Sequence, residues 1–394
     1  MRVLLTDADN RATLAAARSL FSAGHSVIVA GESPRSLTGL SRCATTFTPY
    51  PSPVSAPRGF VRAIAAAASE HSADVVLPMT EITTLLLAEH RTSLPQTCRL
   101  PFADAEAISL ASNKAAVIDK AQRLGIPVPT TLVVPSSESS LRIDDSLGFP
   151  IVVKPSRSRV LAGTRWIASR VSYASSAEEV QSILKNLDPA LFPVLLQRRV
   201  HGHGVGVFAC YHDGAPIALF SHRRLREKPP SGGVSVLSES VPLDPQAVSY
   251  ATRLLEELGW HGIAMVEFKR DDRDGSLRLM EINSRFWGSL QLAINSGVDF
   301  PGIAVEVATG QVREPVFTYR TGVRNRWLLG DLDALLAVLV RTRSSLNLPA
   351  DFPTRRKLLW DFLHFFGRDL YYEIWSLKDP RPGLLELERW LTRR

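Results

Sequence analysis

The chain has 394 residues, 45% hydrophobic and 22% charged, with a formal net charge of +7. That is ordinary globular composition, long enough for two or three domains, and no run of about 18 apolar residues is available to span a membrane. Basic balance admits nucleic acid, anionic lipid or an anionic substrate as partner, but without an arginine-aromatic RNA-binding motif or a zinc knuckle nucleic acid is not expected. Cys43, Cys98 and Cys210 are far apart and odd in number. They offer neither metal-ligand spacing nor a disulfide framework, which suits a reducing cytoplasm.

The opening MRVLLTDADN lacks the charged, apolar and small-residue segments of a signal peptide and reads as a first strand. After the apolar run at 3–7, Leu14, Ala17, Arg18, Leu20 and Phe21 recur at helical spacing, Gly24 stops that helix, and SVIVAG (26–31) is a second strand. This is an α/β opening. The turn TDADNRA lacks Gly-x-Gly-x-x-Gly, so a dinucleotide site is not expected. PYPSPVSAPRG (49–59) reads as a connection, and DVVLP (74–78) as a further buried strand leading into a helix. Thr80 and Glu81 sit where a parallel strand ends, the place where open α/β sheets bind ligands. Equally, Thr80 caps the helix and Glu81 favours its first turn.

A second unit begins near Ser112. SNKAAVIDKAQRLG is a capped helix stopped at Gly125, with Lys114 in a first turn whose free N–H groups favour anions. IPVPTTLVV is extended. GFPIVVKPS (148–156) is a strand ending in Lys154-Pro155, SSAEEVQSILKNL (175–187) a capped helix, and PVLLQRRV (193–200) a strand. A hairpin follows about Asp213-Gly214. From Arg320 onward 14 Lys+Arg stand against 9 Asp+Glu, which places +5 of the +7 in the tail. RWLLGDLDALLAVLVRT, PTRRKLLWDFLHFFGRDLYYEIWS and GLLELERWL there read as helices.

The chemistry concentrates in AMVEFKRDDRDGSLRLMEINSR, where two alternating runs, 264–270 and 276–283, flank a turn containing Asp274-Gly275. A two-residue loop places Glu267 and Glu281 on opposite faces. A three-residue loop, 273–275, sets Glu267 across from Glu281 and Met265 across from Asn283, with Gly275 at the left-handed position. That second register is the expected one. It keeps Val266, Phe268, Met280 and Ile282 on the core face, whereas a one-residue slip buries a carboxylate. Facing carboxylates, with Cβ atoms about 4.5–5.5 Å apart, repel. Either a cation sits between them, all-oxygen ligation favouring Mg²⁺, or Lys269, Arg278 or Arg285 neutralises them as surface ion pairs. Magnesium on Glu, Glu and Asn implies a polyphosphate, for which Lys114 and Lys154 are the candidate cations, although each taken alone reads more readily as a solvated surface charge.

In its order of helix-Lys, strand-Lys-Pro, LLQRRV strand and Glu…Glu-Ile-Asn-x-Arg, the chain resembles the ATP-grasp superfamily, in its carboxylate–amine ligase branch, over roughly residues 112–315. SNKAAVIDKAQRLGIPVP, FPIVVKPSRSR, HRRLREKPPSGG and MEINSRFWGSLQLAINSGVDFP carry the likeness. It implies an α/β protein (α+β elements) with a Rossmann-like domain at 1–111, an ATP-grasp domain at 112–317 whose lid spans about 125–196, and a helical extension at 318–394. It implies ATP, with Lys114 and Lys154 on the phosphates and Gln197 and the backbone through Val200 on adenine. Glu267, Glu281 and Asn283 would take Mg²⁺, one ion or two, with Mn²⁺ as substitute. Arg285 would meet the γ-phosphate or an acyl phosphate.

Two departures from the family stand out. PSRSRVLAGTR has one glycine where the family has a Gly-rich loop, so Arg157 and Arg159 stand in as phosphate donors. The ribose position falls in HGHG, at His203, where a transition metal is not expected for want of a third ligand. The loop at 222–233 offers Arg224 to a substrate carboxylate, or is an exposed basic loop. The implied partners are a small-molecule carboxylate and amine, and no Ser-His or Cys-His nucleophile is needed. A carboxylase-type reaction and an inactive ATP-binding protein acting through its tail are the alternatives. The tail segment KLLWDFLHFFGRDLYYEIW either packs on the body or forms a homodimer contact, or lies peripherally on an anionic membrane.

Overall fold

The computed structural model describes residues 1–139, 143–163, 165–311, 314–343, 345–346, 348 and 352–392. The apolar runs 2–5, 26–31 and 75–77 join 46–49 in a parallel sheet ordered 46–49, 26–31, 2–5, 75–77. Continuous Val/Ile/Leu runs suit strands covered on both faces, here by helices that include Arg11–Ser22, Pro57–Glu70 and Glu81–Glu89. The Pro-rich connection ends earlier than expected because Pro57, which needs no N–H partner in a first turn, opens a helix. Thr80 lies off a strand end and caps the helix at Glu81 in a reciprocal arrangement with Thr83, as the capping reading expects. Asp7, with a left-handed φ of 60°, fixes that junction. Its carboxylate accepts from Thr83 at 2.7 Å, Thr80 at 3.2 Å and the Met79 amide at 3.2 Å.

A small antiparallel sheet, ordered 131–134, 194–198, 151–155, 172–174, occupies the stretch expected as the lid, with a separate core around Ile151, Val153 and Leu196. The larger antiparallel sheet is ordered 215–220, 202–212, 262–271, 277–283 and shares one continuous core with the N-terminal sheet. Helix Lys114–Arg123 packs on its edge strand 277–283.

The hairpin brings Glu267 opposite Glu281 and Met265 opposite Asn283, as expected, but by another route. The loop is four residues long: the Asp271 amide donates to the Ser276 carbonyl at 2.9 Å, leaving 272–275 as the turn. Gly275 takes the left-handed conformation, φ 69°. Phe268 then pairs with Leu279, and a bulge between Glu267 and Phe268 restores the register at the carboxylates. Met280 is the residue without a ladder partner. It is half-buried, and Leu279 takes the core place expected for it.

The segment expected as a basic loop is a strand, 222–228, in a fourth sheet ordered 222–228, 234–240, 324–326, 370–372. The tail is less helical than expected. Helices Leu328–Val340, Arg355–Phe362 and Arg381–Thr392 form, but the chain leaves the helix after Phe362. Gly367 disfavours continuation, and Leu370–Tyr372 pairs with Arg324–Arg326 instead. The tail packs on the body: Arg18 meets Asp379 at 2.9 Å, Arg389 meets Asp9 at 2.7 Å, and Arg11 pairs with Glu373. Trp360 and Phe366 stay exposed. Among the described residues no helix is long and apolar enough to cross a membrane.

Asp331 ties the tail to strand 222–228. Its carboxylate, 1% exposed, binds Arg226 at 2.6 and 2.5 Å and Arg326 at 2.7 Å. Breaking such a buried network strands two guanidinium groups, so Asp331→Asn is expected to cost about 3–5 kcal/mol in urea unfolding. The HGHG segment offers a paired test. A Cβ on Gly202, at φ 142°, would lie 1.8 Å from the Arg270 carbonyl oxygen, whereas one on Gly204 meets nothing within 4 Å. Gly202→Ala is expected to destabilise by roughly 3 kcal/mol and Gly204→Ala by under about 0.5 kcal/mol, read by the same unfolding curves.

Candidate active site

Four separate elements bring their charged side chains to one place. Strand 262–271 carries Glu267, strand 277–283 carries Glu281 and Asn283, helix Lys114–Arg123 carries Lys114, and lid strand 151–155 carries Lys154. The Asn283 amide lies 3.5 Å from a Glu267 oxygen and 3.3 Å from a Glu281 oxygen, so the three side chains share one spot. Arg285, just past the strand, reaches the Asn283 side-chain oxygen at 3.3 Å.

Of the three cations expected to offset the facing carboxylates, Arg285 acts on Glu267, whereas Lys269 and Arg278 are engaged elsewhere. Lys269 donates to the Val200 carbonyl at 3.3 Å and Arg278 pairs with Asp274 at 2.9 Å. Instead Lys114 approaches Glu281 at 3.4 Å, and Arg224 approaches Glu267 at 3.3 Å. Burial raises the proton affinity of Glu267, the neighbouring Glu281 raises it further, and Arg224 and Arg285 offset only part. Burial also pushes Glu281 up, but Lys114 and Lys154 outweigh it and hold it below its ordinary value. Lys154 is buried, which brings its pKa down to about 8 against the pull of Glu281.

The anion-binding reading of the helix start is corrected. The Lys114 amide donates to the Ser156 carbonyl at 2.7 Å, and the Ala115 and Ala116 amides go to the Asn113 side chain. Capping consumes those donors, so only the Lys114 ammonium, held by Ser158 at 2.9 Å, faces the site.

Gln197 is buried in the central lid strand, and its amide donates to Thr131 at 2.8 Å. Val200 lies between the lid and the larger sheet, and His203 is exposed opposite Arg270. Arg157 donates to Ser109 at 3.1 Å, while Arg159 begins the hairpin 159–162/165–168. Arg224 is fixed on a strand, between Glu267 and Glu227, which it meets at 3.1 Å. Sequence reading passed over Ser158 and Glu227. Ser158 carries no charge to mark it. Glu227 had a signal, as an acid three residues after Arg224 in a basic run.

Solved structures share this architecture at low identity, and three of them illustrate it. They are an L-amino acid ligase from Bacillus licheniformis (15% identity, TM-score 0.60, covering 79% of this chain and 77% of that one), a biotin carboxylase from Campylobacter jejuni (16%, 0.63, 82% and 74%) and an N5-carboxyaminoimidazole ribonucleotide synthetase from Thermus thermophilus (18%, 0.61, 82% and 82%). The chain has the ATP-grasp fold. A family described as ATP-grasp in the biosynthetic pathway with Ter operon matches residues 193–330, which include the strands bearing Glu267, Glu281 and Asn283. No curated protein matches the sequence.

Within this ATP-grasp fold, Glu267 and Glu281 offer hard oxygen donors of the kind Mg²⁺ takes, while the Asn283 amide turns its nitrogen to both carboxylates and its oxygen to Arg285, and would join them as a third oxygen donor once turned over. Glu281→Gln is expected to weaken Mn²⁺ binding, followed by electron paramagnetic resonance in the presence of ADP, at least tenfold, with the circular dichroism spectrum unchanged.

Proposed function

We propose that this protein is an ATP-dependent ligase that activates a substrate carboxylate as an acyl phosphate for attack by an amine. The observation that carries the reading is the convergence of Lys114, Lys154, Glu267, Glu281, Asn283 and Arg285 from separate elements. A carboxylate resists amines in water because its oxygen leaves poorly. Transfer of the γ-phosphoryl group of ATP creates a good leaving group, and the protein's task is positioning and charge stabilisation.

In this reading Lys114 and Lys154 hold the phosphate chain, and Lys154, already desolvated by burial, exchanges Glu281 for phosphate oxygens at little further cost. Glu267, Glu281 and Asn283 would hold Mg²⁺ (one ion or two, Mn²⁺ substituting), which would supply positive charge to offset the polyphosphate. Gln197, Val200 and His203 line the adenosine end, where Val200 offers backbone and His203 a ring nitrogen. Arg285 steadies the transferred phosphoryl group. Arg157 and Arg159 supply positive charge in place of a Gly-rich cradle. Arg224 acts on the substrate carboxylate, its charge also set against Glu267. Among the three solved relatives, an amino acid ligase supports this reading and two carboxylase-like names sustain the bicarbonate alternative.

Phosphate release from ATP, measured across pairs of acids and amines, is expected to require both partners. Hydroxylamine in place of the amine is expected to trap a hydroxamate, and Lys154→Met to lower kcat at least 100-fold. Release that depends on bicarbonate, with no acid–amine pair active, assigns the carboxylase alternative. Nucleotide binding without release under any condition assigns the inactive one.

A further inference from the structure

A cavity of about 760 Å³ opens beside Arg285, a size suited to a small organic ligand. Three parts of the chain enclose it. The ends of the parallel strands contribute Glu32 and Glu81, the phosphate side contributes Arg159 and Arg285, and the tail contributes Trp390.

Its charges are segregated by partnership. Asp7 is saturated by Thr80, Thr83 and the Met79 amide. Asp9 is held by Arg389 at 2.7 Å, and Asp333 accepts from the Trp390 indole at 2.6 Å and pairs with Lys228. The side chains of Glu32 and Glu81 make no hydrogen bond or ion pair with another described residue. Glu81 is nonetheless fixed through its backbone. It is the first residue of its helix, behind the Thr80 cap that Asp7 anchors. Two carboxylates without a described partner in the cavity's lining match a cation, while Arg159 and Arg285 in the same lining match an anion. The indole of Trp390, fixed by Asp333, adds an aromatic wall of the kind that also favours cations.

We propose that this cavity receives the amine substrate, which Glu81 and Glu32 recognise as its ammonium ion before that nitrogen gives up a proton to one of the two carboxylates and attacks as the free amine, with the C-terminal helix as the cavity's wall. This rests on the ligase reading of the adjoining site and extends it. Substrate choice would then be set by residues 32, 81 and 390, all outside the span 193–330 that the family match covers.

The test is calorimetric titration of the full chain, with Mg²⁺ and ADP present, using ethylamine, putrescine and L-lysine as amine probes and acetate and succinate as anionic ones. At least one amine probe is expected to bind saturably and more tightly than either anion. Glu81→Gln is expected to weaken it tenfold or more, and Glu32→Gln and Trp390→Ala to weaken it in the same direction, with thermal midpoints unchanged. No amine binding in the wild type, or equal binding in Glu81→Gln and Glu32→Gln, overturns the assignment. Binding that depends on Glu81, with no phosphate release for any acid–amine pair, keeps the cavity and defeats the ligase reading. Phosphate release at wild-type amine KM in both Gln variants does the reverse.

Discussion

Glu267 and Glu281 face one another across an antiparallel hairpin, and their mutual repulsion is the constraint around which the neighbouring elements are arranged. Each acid draws a cation from elsewhere in the chain: Lys114 from a helix packed on the sheet, Arg224 from the neighbouring sheet. Lys154 arrives from the lid and is buried there at the expense of its own proton affinity. A site this rich in mutually dependent charges is costly to hold without a ligand. A metal–polyphosphate ligand supplies both signs at once: positive charge for the carboxylates, negative charge for the lysines.

Much of the architecture was legible because it rests on local rules. The parallel strands 2–5, 26–31 and 75–77 are apolar runs bounded by turn residues, and the helices at 114–123 and 177–185 carry side-chain caps. The pairing of Glu267 with Glu281 followed from which face could tolerate a carboxylate. The loop length did not follow, because the Asp271 carboxylate accepts from the Arg273 amide at 3.1 Å and from its guanidinium, widening the turn by one residue. The bulge at Met280, carrying no glycine or proline to announce it, compensated. The expectation was right about the pair and wrong about the path.

What was not legible is long-range. Strand 222–228 reads as a basic loop until Asp331, more than 100 residues on, is seen to bind Arg226 from the tail. The Lys114 amide, at the start of helix 114–123, looks free until the Ser156 carbonyl, supplied by the lid, is in view. The tail likewise reads as detachable helices. In the fold it completes a sheet through Leu370–Tyr372, ion-pairs with the N-terminal unit and walls a cavity beside Arg285. A basic composition there is thus spent partly on internal pairing, which weakens any inference from net charge to an external anionic surface.

The most direct test of the central claim is an anomalous-difference map from crystals grown with Mn²⁺ and a non-hydrolysable ATP analogue. The account predicts a peak within about 2–2.5 Å of carboxylate oxygens from both Glu267 and Glu281, with the analogue's phosphates against Lys114 and Lys154. A nucleotide bound elsewhere, or a peak that leaves either carboxylate on its Lys114 or Arg224 partner, would contradict it.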